Sequence, residues 1–241
     1  MANKGESKSQ KSLSAPTARY FLRKDNVFTV ANKPGTHNKK SSVPLIFALK
    51  ELLKVSNNSR EGRTIIKEGK IKVNGTIRRQ VRLPVGLFDI ISVEALKKIW
   101  RLTFDTKGRI IAQEIDAKGK DFKISKITGK RIIKGGKVLL TTNEGFTIDL
   151  GKEKVNVDDS VKLSLPEMKI EEVFALEKGN SVFIVGGSHV GETSKVDSIT
   201  AGTLQRKKLI SLDDKKRKFQ TISKNIFVVG KGKPEIEGLE W

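Results

Sequence analysis

Apolar positions change period along the chain, and the change divides it. Residues 1–15 hold a single leucine among Lys, Ser, Gly and Asn, too little apolar surface to offset ordering, so this stretch reads as a disordered basic arm. Residues 16–22 read as a short turn or helix with an aromatic anchor, and 31–40, with its Pro-Gly step, as a connector. Leu45, Leu49, Leu52 and Leu53 form one stripe at helical spacing, which predicts a helix over 42–55 with Pro44 in its first turn. Ser56-Asn57-Asn58 then offers cap chemistry for a second helix over 59–68, stopped by Gly69. Ile71-Lys72-Val73 alternates into Asn74-Gly75, a strong two-residue hairpin signal, and 76–83 returns. Another strand is expected over 87–93. From residue 100 the period is two almost throughout. Strands are expected at 100–104, 109–115, 120–127, 137–142, 146–150 and 160–165, then at 181–185, 194–199, 207–212, 219–222 and 226–229, with Gly- and Asn-rich breaks between them.

The 241 residues therefore read as an arm (1–40), a small α/β domain (41–100), a central antiparallel β domain (101–170) and a C-terminal five-stranded barrel (171–241), an α+β chain overall. No apolar run approaches the length of a membrane span, and the N-terminus lacks the apolar core of a signal peptide, so an intracellular protein is expected.

Charge sharpens this reading. The chain carries 48 Lys+Arg against 27 Asp+Glu, a formal +21. Self-repulsion of that size points to a polyanionic partner. The excess is +7 in residues 1–40, +7 in 41–100, +5 in 101–170 and +2 in 171–241, so the densest phosphate contacts are expected in the first hundred residues. The absence of Cys excludes disulfide scaffolds, zinc ribbons and thiol nucleophiles. Only two histidines are present, far apart in sequence, which argues against a His-based metal site. The adjacent pairs Asp158-Asp159 and Glu171-Glu172 match no acid–base or metal spacing and read as solvated faces. Lys215-Lys216-Arg217-Lys218 reads as a charged hairpin turn.

The stretch 59–93, SREGRTIIKEGKIKVNGTIRRQVRLPVGLFDIISV, presents guanidinium forks on a helix and a hairpin, suited to a sugar–phosphate backbone. It resembles the ribosomal "S-four" RNA-binding domain through Ser59, Arg60, Ile66, Gly69, Ile71, Val73, Asn74, Gly75 and Asp89, with Gly62 where that domain usually has Ala. Residues 178–191, KGNSVFIVGGSHVG, resemble a KOW motif, with Ser194 in place of a later glycine. With RLTFDTKGR (101–109), PVGLFDIISV (84–93) and SKNIFVVGKGKP (223–234), the motifs stand in the order of the "S-four-e" family of small-subunit ribosomal proteins. The chain stops soon after Lys233-Pro234, without the longer basic tail of eukaryotic members, so an archaeal-type member is expected.

That resemblance implies a structural protein, not an enzyme. It would bind small-subunit rRNA beside neighbouring ribosomal proteins in the cytoplasm, with no cofactor, metal, membrane or small-molecule substrate. The expected RNA-contacting residues are Lys4, Lys8, Lys11, Arg19, Lys24, Lys33, His37, Lys39 and Lys40 in the arm. In the S-four-like domain they are Arg60, Arg63, Lys67, Lys70, Lys72, Arg78, Arg79 and Arg82. Further on they are Lys107, Arg109, Gly187, Ser188, His189, Gly191, Lys231 and Lys233. Two rivals belong to other classes. An rRNA-modifying enzyme is suggested by Arg101-Leu102 before Asp105-Thr106-Lys107-Gly108, similar to a pseudouridine synthase segment. A KOW-bearing transcription elongation factor is the second.

Overall fold

The structure, a computed structural model, describes residues 8–151, 154–203, 205–214 and 217–236. Two compact units emerge: Met1–Phe104 with Arg109–Glu114, and Asp105–Gly108 with Ile115–Trp241.

In the first unit β1 (Ser9–Lys11) pairs antiparallel with β2 (Phe28–Val30). Residues 8–15 are therefore ordered, against the expectation of a disordered arm; residues 1–7, Lys4 among them, lie outside the described residues. Long-range backbone bonds hold this segment where its composition could not. The Arg23 guanidinium bonds the carbonyls of Ala15 and Pro16, and Phe21 meets Phe47 edge-on at 5.6 Å. The expected helix over 42–55 divides. β3 (Ser42–Pro44) is followed by α1 (Leu45–Phe47) and a π-helical turn over Ala48–Leu52. Pro44 caps the helix in an extended conformation because Ser42 and Val43 are already paired with a later strand. Lys54, at φ 52°, ends the helical run. α2 (Ser59–Lys67) forms as the pattern predicts, with Asn58 Oδ1 accepting from the Glu61 amide.

β4 (Ile71–Val73), β5 (Thr76–Ile77), β6 (Pro84–Gly86), β7 (Ile90–Val93), β8 (Lys98–Phe104) and β9 (Ile110–Glu114) complete the unit. β6 pairs with β3, and the others form an antiparallel sheet in the order β5-β4-β7-β8-β9. The expected domain edge at residue 100 thus falls inside a sheet. β8 is buried from Trp100 to Phe104 and pairs with β7 on one side and β9 on the other.

The second unit contains β10 (Phe122–Ile132), β11 (Val138–Thr142), β12 (Thr147–Asp149), β13 (Ser160–Ser164) and β14 (Ile170–Phe174), in the order β12-β11-β10-β13-β14. Its apolar centre is Ile127, Leu140, Leu150, Val155, Val161 and Leu163. β14 went unrecognised because its Glu171-Glu172 pair interrupts the alternation, and it carries this sheet past the expected boundary at residue 170. β15 (Ser181–Ile184), β16 (Thr193–Thr200), β17 (Leu209–Asp214), β18 (Arg217–Ile222) and β19 (Ile226–Gly230) form a third antiparallel sheet in the order β18-β17-β16-β15-β19. Among the described residues no ladder joins β18 to β19, so this sheet is open where a closed barrel was expected.

The second and third sheets belong to one unit rather than two domains. The buried Lys126 ammonium, on β10, bonds the carbonyls of Ser223 and Ile226 and lies 3.2 Å from Asp158. Ser160 Oγ, on β13, accepts from the Val228 amide on β19. The Asp158-Asp159 pair is not a solvated face. Asp159 is 4% exposed and accepts from the amides of Asn156 and Leu176.

Candidate RNA interface

α2 turns Arg60, Arg63 and Lys67 to solvent while Gly62 and Ile66 face inward. The amphipathic spacing does this: apolar positions at i and i+4 define the inner face. A Cβ on Gly62 would stand 2.8 Å from Ile46 Cδ1 and 2.9 Å from Ser56 Oγ. The departure from Ala at that position is thus matched by closer packing of the helix. Behind α2, the Arg79 guanidinium lies over Gly69, 3.3 Å from where a Cβ would be. The helix end and the strand return, ten residues apart in sequence, therefore form one cationic corner. Arg78 is exposed beside it.

The Asn74–Asp89 pair explains how that corner is held. Asn74 adopts φ 52° in the turn, donates from Nδ2 to Asp89 Oδ1 at 2.7 Å and accepts from the Ile90 amide at 2.9 Å. Asp89, 1% exposed, also accepts from the Gly86 amide at 2.8 Å. His37 Nε2 lies 2.8 Å from Asp89 Oδ2, at ion-pair distance although off the axis of a hydrogen bond. The motif's half-buried Asn and buried Asp are a clamp on the hairpin, and the arginines around it are exposed.

Several expected contact residues are placed elsewhere. Arg19 is 1% exposed; it donates to the Val30 carbonyl at 2.8 Å, and burial lowers its pKa to about 10, so it is not a surface phosphate ligand. The His37 side chain is largely buried against Asp89. Arg82 Nε donates to the Ala31 carbonyl at 3.0 Å. Arg109 lies 4.3 Å from the Tyr20 ring centre, a cation–π contact. Gly191 (φ 83°) is a packing residue: a Cβ there would stand 2.6 Å from the Asp105 carbonyl carbon. His189 stacks on Phe219 at 4.1 Å and meets Glu192 at 3.0 Å. Lys70, Lys72 and Lys231 pair with Glu68, Glu94 and Glu172, contacts too exposed to remove them from the surface. Lys8, Lys11, Lys24, Lys33, Lys39, Lys40, Lys107, Gly187, Ser188 and Lys233 are exposed.

One basic element escaped the sequence reading. β10 and β11 continue past the core as a hairpin turning through Gly135 and Gly136, with Lys130, Arg131, Lys134 and Lys137 exposed and Ile132 73% exposed. Residues 126–143 contain no carboxylate. The signal was present as local charge, but it was diluted by the acidic flanks when charge was averaged over 101–170.

In this β-rich protein exposed cationic groups cluster on a helix corner and on a hairpin tip, surfaces whose chemistry suits a polyanion. Comparison with known proteins agrees. The family model described as "Ribosomal family S4e" matches residues 96–170. The small ribosomal subunit protein eS4 of Archaeoglobus fulgidus is 37% identical over 231 residues, covering 95% of this chain and 97% of that protein. Its counterpart in Methanosphaera stadtmanae is 34% identical over 236 residues, 98% of each chain. The crystal structure of the 30S ribosomal protein S4e from Thermoplasma acidophilum matches with a TM-score of 0.70 at 28% identity, covering 79% of this chain and 96% of that one. The chain belongs to the S4e family of ribosomal proteins.

Proposed function

We infer that this protein is a structural constituent of the small ribosomal subunit, working in the cytoplasm and binding small-subunit rRNA beside other ribosomal proteins. The near full-length similarity to proteins named for that subunit carries the reading. The family is one of structural proteins rather than enzymes, and neither a modifying enzyme nor an elongation factor receives support.

At the finer level, the S-four-like corner formed by α2 and the β4–β5 hairpin is the principal phosphate-binding surface, and the KOW-like sheet plays a lesser part. What supports this is the exposed set Arg60, Arg63, Arg78 and Arg79, against the nearly balanced charge of residues 171–241. Each arginine neutralises a phosphate and releases a counterion, so its loss reduces the slope of log K against log salt by about 0.7–0.9. Replacing all four by Ala is expected to shrink the slope on small-subunit rRNA by roughly 3. Replacing Arg206, Lys207, Arg217 and Lys224 removes equal charge from residues 171–241 and is expected to change it by less than about 1. Equal losses would mean that global charge, not this corner, sets affinity. Circular dichroism of both variants controls for folding.

A further inference from the structure

In the first unit the β1–β2 pair and the α1–α2 region enclose an open groove of about 580 Å³. That is within the roughly 300–1,000 Å³ typical of small-ligand sites. Phe28 stands at the rim 60% exposed, and Phe21, braced edge-on against Phe47, also lines the groove. Ser12 lines it as well; the residue is 1% exposed, and its hydroxyl has no hydrogen-bond partner. Asn26 and Asn57 contribute side chains that can both donate and accept. Exposed Lys8 and Arg63 border the groove, and its carboxylate Glu51 is paired with Lys50 at 3.0 Å.

An aromatic face left in water, a buried hydroxyl lacking a partner and a cationic border are each costly or idle alone. One ligand satisfies all three. We propose that this groove takes an unstacked nucleobase from the bound rRNA, stacked on Phe28, with its polar edge toward Ser12 and the Asn side chains and its flanking phosphates on Lys8 and Arg63. RNA is read in this manner wherever bases leave the helix: a ring stacks on an aromatic side chain while amides and hydroxyls meet its edge. A protein segment is the poorer occupant, because the border is positive and offers no free carboxylate to a basic partner. The inference rests on rRNA binding, and it adds a base-reading slot beside the phosphate-binding corner.

The test uses the full chain and full-length small-subunit rRNA transcribed in vitro. Ultraviolet irradiation of the complex is expected to cross-link Phe28 to a single rRNA position, mapped by mass spectrometry. Phe28→Ala is expected to weaken binding about 5- to 100-fold, the usual cost of one stacked base. The slope of log K against log salt stays unchanged because no charge is lost. Phe28→Tyr, which keeps the ring, is expected to restore affinity to within about 2-fold. Phe28 is exposed, so its truncation leaves the core intact, and circular dichroism checks that Phe28→Ala stays folded. If the wild type binds rRNA tightly while Phe28→Ala binds equally well and no cross-link maps to Phe28, the slot is refuted and the rRNA reading stands. If Phe28→Ala binds naked rRNA normally but fails to enter small subunits, the groove holds a protein and the proposal is equally overturned. If the wild type itself does not bind rRNA, both readings fail together.

Discussion

Asn74 shows how one side chain ties a turn to a core. Its φ of 52° suits Asn better than most residues, and its amide spans Asp89 and the Ile90 backbone. Asn74→Ala removes a hydrogen bond to a buried carboxylate and one to a backbone amide. A loss of about 3 kcal/mol is expected, read as a lower urea midpoint, and Asn74→Gly should recover only the backbone part. Gly191 and Gly187 both have positive φ, but only Gly191 faces the Asp105–Thr106 backbone. Gly191→Ala is therefore expected to lower the melting temperature markedly more than Gly187→Ala, whose cost is conformational strain of about 1 kcal/mol. Arg19 makes the opposite case. Burial depresses its pKa to about 10, so the unfolded chain holds the proton more tightly. The destabilisation is fully present at neutral pH and fades only as pH rises above that value. Arg19→Met is accordingly expected to match or exceed the wild type in a urea titration at pH 7, whereas an Arg19 essential for packing would show a clear loss.

At the scale of elements, strands carry charge in two ways that alternation cannot distinguish. On β10, Lys123 and Lys126 lie buried while Lys130 and Arg131 extend into solvent. Lys123 Nζ meets Glu144 at 2.6 Å, both side chains at most 2% exposed, and Ser125 Oγ donates to the same carboxylate. Breaking a buried pair leaves a charge unmatched. Glu144→Gln is thus expected to cost about 3–5 kcal/mol, and Lys123→Met combined with Glu144→Leu distinctly less. Chemical denaturation of the single and double variants measures the difference. The outer half of the hairpin should behave differently. Alanine at Lys130, Arg131, Lys134 and Lys137 is expected to leave the thermal midpoint within a few degrees while shrinking the rRNA salt slope by about 2–3. An unchanged slope would leave the hairpin without a role in RNA contact.

Across the second unit, Lys126 joins two sheets through three oxygen partners. Desolvation lowers its pKa from 10.5, and Asp158 opposes that shift. A base with a depressed folded pKa gives stability that rises with pH through the window between the folded value and 10.5. Lys126→Met lacks this term and leaves two carbonyls and a carboxylate unmatched. It is expected to unfold at lower urea concentration at pH 7, and the wild type's advantage is expected to widen as the pH approaches that of free lysine. A constant difference across pH would mean that the folded and unfolded chains hold the Lys126 proton equally well.

Much that is local could be read directly from the residues. The helix over 59–67, the Asn74-Gly75 turn and most strands after residue 100 follow from period, cap and turn chemistry, which act within a few residues. The net charge and the ordered motifs also pointed to rRNA, because a polyanion's demand for cations is met by composition itself. Tertiary structure alone decided which cations remain for that task. Arg19 and Lys126 look in sequence like any other basic residue, and burial is a property of what packs against them. It also decided that β8 and β9 extend the first sheet, that the second and third sheets share one unit, and that Ser9–Lys11 is ordered. Each depends on hydrogen bonds to strands or loops remote in the chain, which no local pattern encodes.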